Sequence, residues 1–285
     1  MRLSSSLVLS FTLALGLLTC GCGSSSSGPQ PPKPGTPAFA WAGANEAYKK
    51  GDFDAVIKNL GTASASENEF RLRAQVWMMA VDSGIARGEM EWADLMEEGG
   101  KVARVRQIDF RKMMNDARTA AGQSAMRVTD IGHKMMPNLK EEKIPVAFSL
   151  PDVNKDKPVE LERIRKGILP QASEVEKLHQ LMRKRGVLLS VARLGDAGGD
   201  LTKAAAALPA AGTEIPRTAL LSFVANELTD MSVVFGAKKL DRAGRARLLL
   251  EEAKEALAAV PPSPERAKIQ KKIDDQIKKL PKDAN

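Results

Sequence analysis

Residues 215–234 read IPRTALLSFVANELTDMSVV. Leu220, Phe223, Val224, Leu228, Met231 and Val234 recur there at steps of three and four. That spacing lines one face of an α-helix. A second stripe follows, made by Ala246, Leu249, Leu250, Ala253, Ala256, Leu257 and Val260. Pro261-Pro262 ends that helix, Ser263 is placed to cap another, and Pro264 suits its first turn. The last helix has only a narrow apolar line of Ile269, Ile273, Ile277 and Leu280, with Lys271, Lys272, Lys278 and Lys279 on its other faces. A terminal helix of that kind closes a stack of helical hairpins.

Composition extends this reading to the rest of the chain. Aromatic residues are only 4%, and Ala, Leu, Lys, Arg and Glu dominate, which favours helix over strand. The one strand-like run is Val146 to Leu150, and a single short run cannot make a sheet. The fold class read from the sequence is therefore all-α. Residues 137–158 (PNLKEEKIPVAFSLPDVNKDKP) hold four prolines. They form either a functional loop or a boundary between helical regions at 39–136 and 159–280. Gly198-Gly199 and the run 203–212 (KAAAALPAAG) read as joints within the second region.

The first region contains AGANEAYKKGDFDAVIKNLGTA at residues 42–63, which resembles a tetratricopeptide repeat. The resemblance implies two antiparallel helices packed through small residues. Ala44 and Ala47 fall on the first helix, Gly51-Asp52-Phe53-Asp54 on the turn, and Val56, Leu60 and Ala63 on the second. Val56 stands where the family prefers Ala. A second turn is expected at Gly88-Glu89-Met90-Glu91, followed by Ala93, with Trp77 where the first helix of a repeat often carries Trp. Gly88 lies 37 residues after Gly51, and Gly122 a further 34, near the ~34-residue period of the family. The resemblance covers roughly residues 39–134 and implies an α-solenoid; a generic helical bundle is the alternative. On a concave repeat surface, Trp41, Tyr48, Arg71 and Trp77 are the candidate contacts for a protein or peptide partner.

The N-terminus supplies an address. Arg2 precedes the apolar run LVLSFTLALGLL, which ends in Thr19-Cys20-Gly21-Cys22 and then Gly-Ser-Ser-Ser-Ser. This has the features of a secretory signal, and from Leu7 to Leu18 it is well short of the ~20 residues of a spanning helix. It resembles the signal of bacterial lipoproteins, in which a small residue precedes a lipidated Cys that becomes the mature N-terminus. Gly21 makes Cys22 the expected palmitate-bearing anchor at the end of a 1–21 signal peptide; Cys20, preceded by Thr19, is the alternative. Gly23 follows Cys22 where Asp would signal retention, so the resemblance implies a periplasm-facing protein on the outer membrane. Residues 22–38 are Gly, Ser and Pro with almost nothing apolar, and read as a tether.

Catalytic signals are scarce. The body has two histidines, His133 and His179, no cysteine, no Gly-rich phosphate loop and no zinc spacing. His179 reads as packing or surface. Asp152, Asn154 and Asp156 alternate like the oxygen donors of a calcium loop, but Lys157 and Arg163 replace its sixth-position Gly and twelfth-position Glu. The pairs Met78-Met79, Met113-Met114 and Met135-Met136 read as gap filling rather than copper ligation. Arg183-Lys184-Arg185 reads as a solvated face, with lipid headgroups as the alternative contact. Removing residues 1–21 takes away Arg2 and leaves 42 basic against 35 acidic groups, a spread-out excess that biases the chain toward anionic neighbours without implying nucleic acid. The expectation is a non-catalytic scaffold of the bacterial cell envelope, without cofactor, anchored to the membrane through its lipid. The competing expectation is a ligand-binding or sensory lipoprotein with a pocket between its helical halves.

Overall fold

Capping chemistry builds the first hairpin. Helix α1 (Pro37–Lys50) starts where Thr36 accepts from the Phe39 amide, with Pro37 in the first turn. It stops at Gly51, whose φ of 74° is open to glycine at little cost. Asp52 then accepts from the Ala55 amide at 3.1 Å and starts α2 (Phe53–Ser64). The two-residue connection folds α2 back on α1, burying Ala44 and Ala47 of one helix with Val56, Leu60 and Ala63 of the other. These coordinates are a computed structural model that describes residues 32–146, 161–195, 203 and 212–281. Within them the fold is all-α except for one small ribbon.

The expected second and third turns are not formed. Helix α3 (Arg71–Val102) runs unbroken through Gly88, and α4 (Gln107–Met135) runs unbroken through Gly122. At 1.5 Å per residue α3 is roughly 48 Å long. It is the axis of the molecule: α2, α4, the short α5 (Glu162–Arg165) and α6 (Ala172–Leu194) all pack on it. Gly88 serves packing. A Cβ there would lie 2.5 Å from the Met182 carbonyl oxygen of α6, and one at Gly84 would lie 2.2 Å from the Val187 Cα. Gly186 is the reciprocal gap on α6. Three glycines thus let two helix backbones touch. Gly122 makes room for the Phe235 ring and Leu240 instead.

The strand expectation is corrected too. Strand β1 (Lys143–Val146) pairs antiparallel with β2 (Thr213–Pro216), placing Ile144 opposite Ile215. The ribbon begins upstream of the run expected to be strand-like, and its partner includes Ile215, which the periodicity placed at a helix start. Ile144, Val146 and Ile215 are buried and their neighbours are not, the alternation of a half-buried strand. Residues 147–160 lie outside the described residues.

The last three helices follow the sequence stripes. They are α7 (Arg217–Ser232), α8 (Ala243–Ala258) and α9 (Pro264–Ile277). Ser263 accepts from the Arg266 amide at 3.1 Å, so the cap expected of it is formed. Residues Arg217–Phe235 are apolar and long enough to cross a membrane, but 67% of that window is buried inside the protein. Core packing accounts for its apolarity. The main core runs from α1 to α9. A smaller one, with Trp92, Met96, Phe110 and Ile164, sits under the far end of α3.

Candidate functional site

The aromatic residues expected to meet a partner are packed into the fold. Trp41 and Tyr48 on α1 both meet the edge of Trp77 on α3, with ring centroids 5.2 and 5.3 Å apart. Phe53 packs on Tyr48, and Phe70 on Trp41. Trp77 and Tyr48 are buried and Trp41 is half-buried, so these rings join the hairpin to α3 and are not a docking surface. The physical reason lies in α1: its buried face is mostly alanine, which brings the helix close enough for large rings to fill the joint. Arg71, at the head of α3, pairs with Glu67 on the surface. The Tyr48 hydroxyl has no hydrogen-bond partner among the described residues, and burial pushes its pKa well above the usual phenol range.

Charge is concentrated elsewhere, where α3, α6, α7 and α9 meet. Glu227 of α7 has 0% exposure. Its carboxylate accepts from Arg87 of α3 at 2.9 and 3.1 Å and from Arg193 of α6 at 2.9 Å. One turn along α7, Asp230 accepts from Arg193 at 2.7 Å and pairs with Lys272 of α9 at 2.5 Å. Burial works against the Asp230 carboxylate, but hydrogen bonds and charge from Lys272 and Arg193 outweigh it and hold its pKa below the ordinary aspartate value. A carboxylate taken out of water needs such partners, and here they come from three other helices. The network ties the C-terminal helices to α3.

Two clefts open on either side of Arg193 and Lys272, which line both. The larger, about 640 Å³, is a groove between α7 and α9. Thr218, Ser222 and Asn226 recur at four-residue steps along its α7 wall, and Glu265, Lys268 and Lys272 at steps of three and four along its α9 wall. Phe223, Val260 and Ile269 contribute apolar surface between them. Of the charged residues on its lining, Arg193 and Lys272 are already paired with Glu227 and Asp230, whereas Lys268 has no carboxylate partner among the described residues. Its chemistry suits an extended acidic segment: hydroxyl and amide groups for hydrogen bonds, the Lys268 ammonium for a carboxylate, and apolar patches for burial. The smaller cleft, about 370 Å³, lies between α3 and α7 and has Arg87, Met90, Met231 and Lys239 on its walls.

The histidines have structural partners. His179 of α6 lies 2.8 Å from the buried Glu89 of α3 and stacks on Trp92, ring centroids 5.3 Å apart. His133 lies 3.0 Å from Glu252. Met79 and Met135 are fully buried in the main core, and Met113 and Met114 pack against the smaller one. Among the described residues no group of three His, Cys, Asp or Glu side chains is arranged to hold a metal. Cys20, Cys22, Asp152, Asn154 and Asp156 lie outside the described residues.

The groove and the charged network were missed in the sequence, although one signal was present. Glu227 follows Phe223 and Val224 by four and three residues, so it shares their buried stripe. An acid at such a position implies a buried cation from elsewhere, without saying which. No family model matches the chain, and no curated protein or solved structure is significantly similar to it.

Proposed function

We propose that the protein is a non-catalytic binding module of a bacterial cell envelope, tethered to the membrane through acylated Cys22, with Cys20 as the alternative thiol. In this reading it faces the periplasm from the outer membrane. Its groove between α7 and α9 receives an acidic, extended stretch of a protein partner. The observation that carries the binding role is the groove: polar side chains at helical spacing on two walls, with the Lys268 ammonium left without a carboxylate partner among the described residues. The lipid anchor rests on the Gly21-Cys22 boundary after the short apolar run. Three acyl chains, as the lipoprotein resemblance implies, make attachment effectively permanent, since each buried methylene contributes about 0.8 kcal/mol.

A photo-crosslinking residue at Ser222 tests the binding role in cells. A single protein adduct that disappears when Lys268 is changed to Glu supports the reading. An adduct pattern indifferent to Lys268→Glu overturns it. The smaller cleft favours the second reading, because its volume falls in the range of small-molecule sites and it combines apolar methionines with Arg87 and Lys239. A small molecule co-purifying with the protein and lost on Met90→Trp substitution would support that reading over the first. The anchor is tested by palmitate labelling, which Cys22→Ala must abolish.

A further inference from the structure

Exposed aliphatic side chains are not scattered evenly over this protein. Among the described residues seven large hydrophobic side chains stand in solvent, and four of them meet at the far end of α3. Val102 is 56% exposed, Val105 71%, Ile108 80% and Ile168 50%. Val102 ends α3, Val105 lies in the connection to α4, Ile108 is in the first turn of α4, and Ile168 is in the turn after α5. The two segments touch: a Cβ on Gly167 would lie 2.7 Å from the Ala103 Cα.

This end is held in place. Arg106 adopts a left-handed conformation with φ 61°, which costs a residue with a side chain roughly 1 kcal/mol and turns the chain sharply into α4. The Ile168 amide donates to the Arg163 carbonyl at 3.0 Å, and the Gly167 amide to that of Ile164 at 2.9 Å. Ala103, Phe110 and Ile164 are buried directly beneath. Space under the tip is therefore already filled, and the four aliphatic side chains remain outside a finished core.

Positive charge surrounds them. Residues 101–112 carry five cations against one carboxylate, and residues 162–166 three against one. Glu97 and Glu98, one turn back on α3, neutralise part of this through Lys101, Arg118 and Arg165. Arg104, Arg111 and Lys112 are exposed and have no carboxylate partner among the described residues. Aliphatic side chains projecting from a hairpin end, ringed by cations, match the layered chemistry of a bilayer surface: anionic headgroups outside, hydrocarbon beneath.

We propose that the α3–α4 tip, together with the turn after α5, docks on anionic lipid, placing Val102, Val105, Ile108 and Ile168 at the boundary between headgroups and acyl chains. The tip lies at the end of α3 opposite its joint with the α1–α2 hairpin, roughly 40 Å along the helix from Trp77. The inference does not depend on an acylated cysteine. On a tethered protein the contact would orient the body against a membrane.

The test uses the full chain with Cys20→Ala and Cys22→Ala in every arm, so that neither acylation nor its failure affects the result. Partitioning is measured by sedimentation with vesicles of phosphatidylcholine alone, or with one part in three phosphatidylglycerol. Binding to the anionic vesicles, weakened by salt, is expected. Val105→Ser with Ile108→Ser should lower it about tenfold or more, because two aliphatic side chains no longer leave water. Each cation near the surface contributes roughly fivefold, so Arg104→Glu with Arg111→Glu should act at least as strongly. Both pairs are exposed, and unchanged circular dichroism would verify folding. In an Ile108→Trp form, emission should shift to the blue with anionic vesicles only. Equal partitioning of the double-serine form, or an Ile108→Trp emission response to anionic vesicles no larger than that of the parent with its three native tryptophans, would overturn the proposal. So would a lipid-free dimer abolished by the same serines, which would assign the face to a second copy.

Discussion

A side-chain carbon on Gly186 would fall 2.1 Å from the carbonyl oxygen of Gly84, closer than any real contact permits. The α3–α6 crossing exists because both positions, and Gly88 beside them, lack that carbon. Glycine inside a helix is unfavourable by about 0.8–1.0 kcal/mol relative to alanine, and here the penalty is offset by backbone contact and by the His179–Glu89 pair that spans the same crossing. Gly84→Ala or Gly186→Ala should destabilise the protein by about 3 kcal/mol, at the upper end for overpacking, because the obstacle is backbone. Gly61 in α2 is the control: it meets nothing within 4 Å, and Gly61→Ala should raise stability by about 0.5–1 kcal/mol. Denaturant midpoints moving in opposite directions would establish both claims.

How legible these features were depended on how many faces a helix buries. Helices α8 and α9 leave a side in solvent and α7 keeps a half-buried line along the groove, so their stripes survive in the sequence, and the Ser263 cap of α9 could be placed. Helix α3 is buried almost all round between Ala74 and Ala86, which erases the period. In that stretch and just beyond it, Gly88 looked like a turn followed by an acid, when it marks a crossing. The β1–β2 ribbon joins segments about seventy residues apart, and no local pattern reports such a pairing. Val105 and Ile108 were visible as apolar residues, but their exposure depends on Phe110 and Ile164 already filling the space below.

Glu227 should behave as the keystone of the C-terminal half. Removing its side chain leaves Arg87 and Arg193 facing one another without the carboxylate that brings them together. Breaking a buried ion pair from one side is destabilising by about 3–5 kcal/mol. Glu227→Ala should fall in that range, and Glu227→Gln should cost less because one oxygen remains to accept. An equal loss in both variants would mean that shape, not charge, governs the site. Urea unfolding at neutral pH makes the comparison.

The aromatic joint gives a second energetic contrast. Trp77 is fully buried and meets both Trp41 and Tyr48, so Trp77→Ala should destabilise by about 3–5 kcal/mol and loosen the hairpin from α3. Tyr48→Phe should be neutral or stabilising, because the hydroxyl it removes is buried without a hydrogen-bond partner. Near-ultraviolet circular dichroism reports the ring packing in both. A large loss on Tyr48→Phe would mean that the hydroxyl is satisfied in solution.

Two aspartates should give opposite dependences on pH. Asp230 has a folded pKa below its ordinary value of 3.8: burial opposes ionisation, but Lys272 and Arg193 together outweigh it. The stability it contributes is therefore complete above the unfolded pKa and disappears as the pH falls through the lower folded one. Asp82 is the reverse case. Burial raises its pKa, hydrogen bonds and charge from Arg127 recover only part of that cost, and its second oxygen is buried without a partner. Its charged form weakens the fold at neutral pH, and protonation relieves the penalty as the pH falls through the raised folded value. Asp230→Asn should thus destabilise at pH 7 and converge on wild type in acid. Asp82→Asn should be near neutral or stabilising at pH 7, with any gain shrinking as the wild-type carboxyl takes up its proton. Midpoints of urea unfolding between pH 7 and pH 3 would separate them, and parallel curves for the two variants would show that neither carboxylate is coupled to folding as its surroundings require.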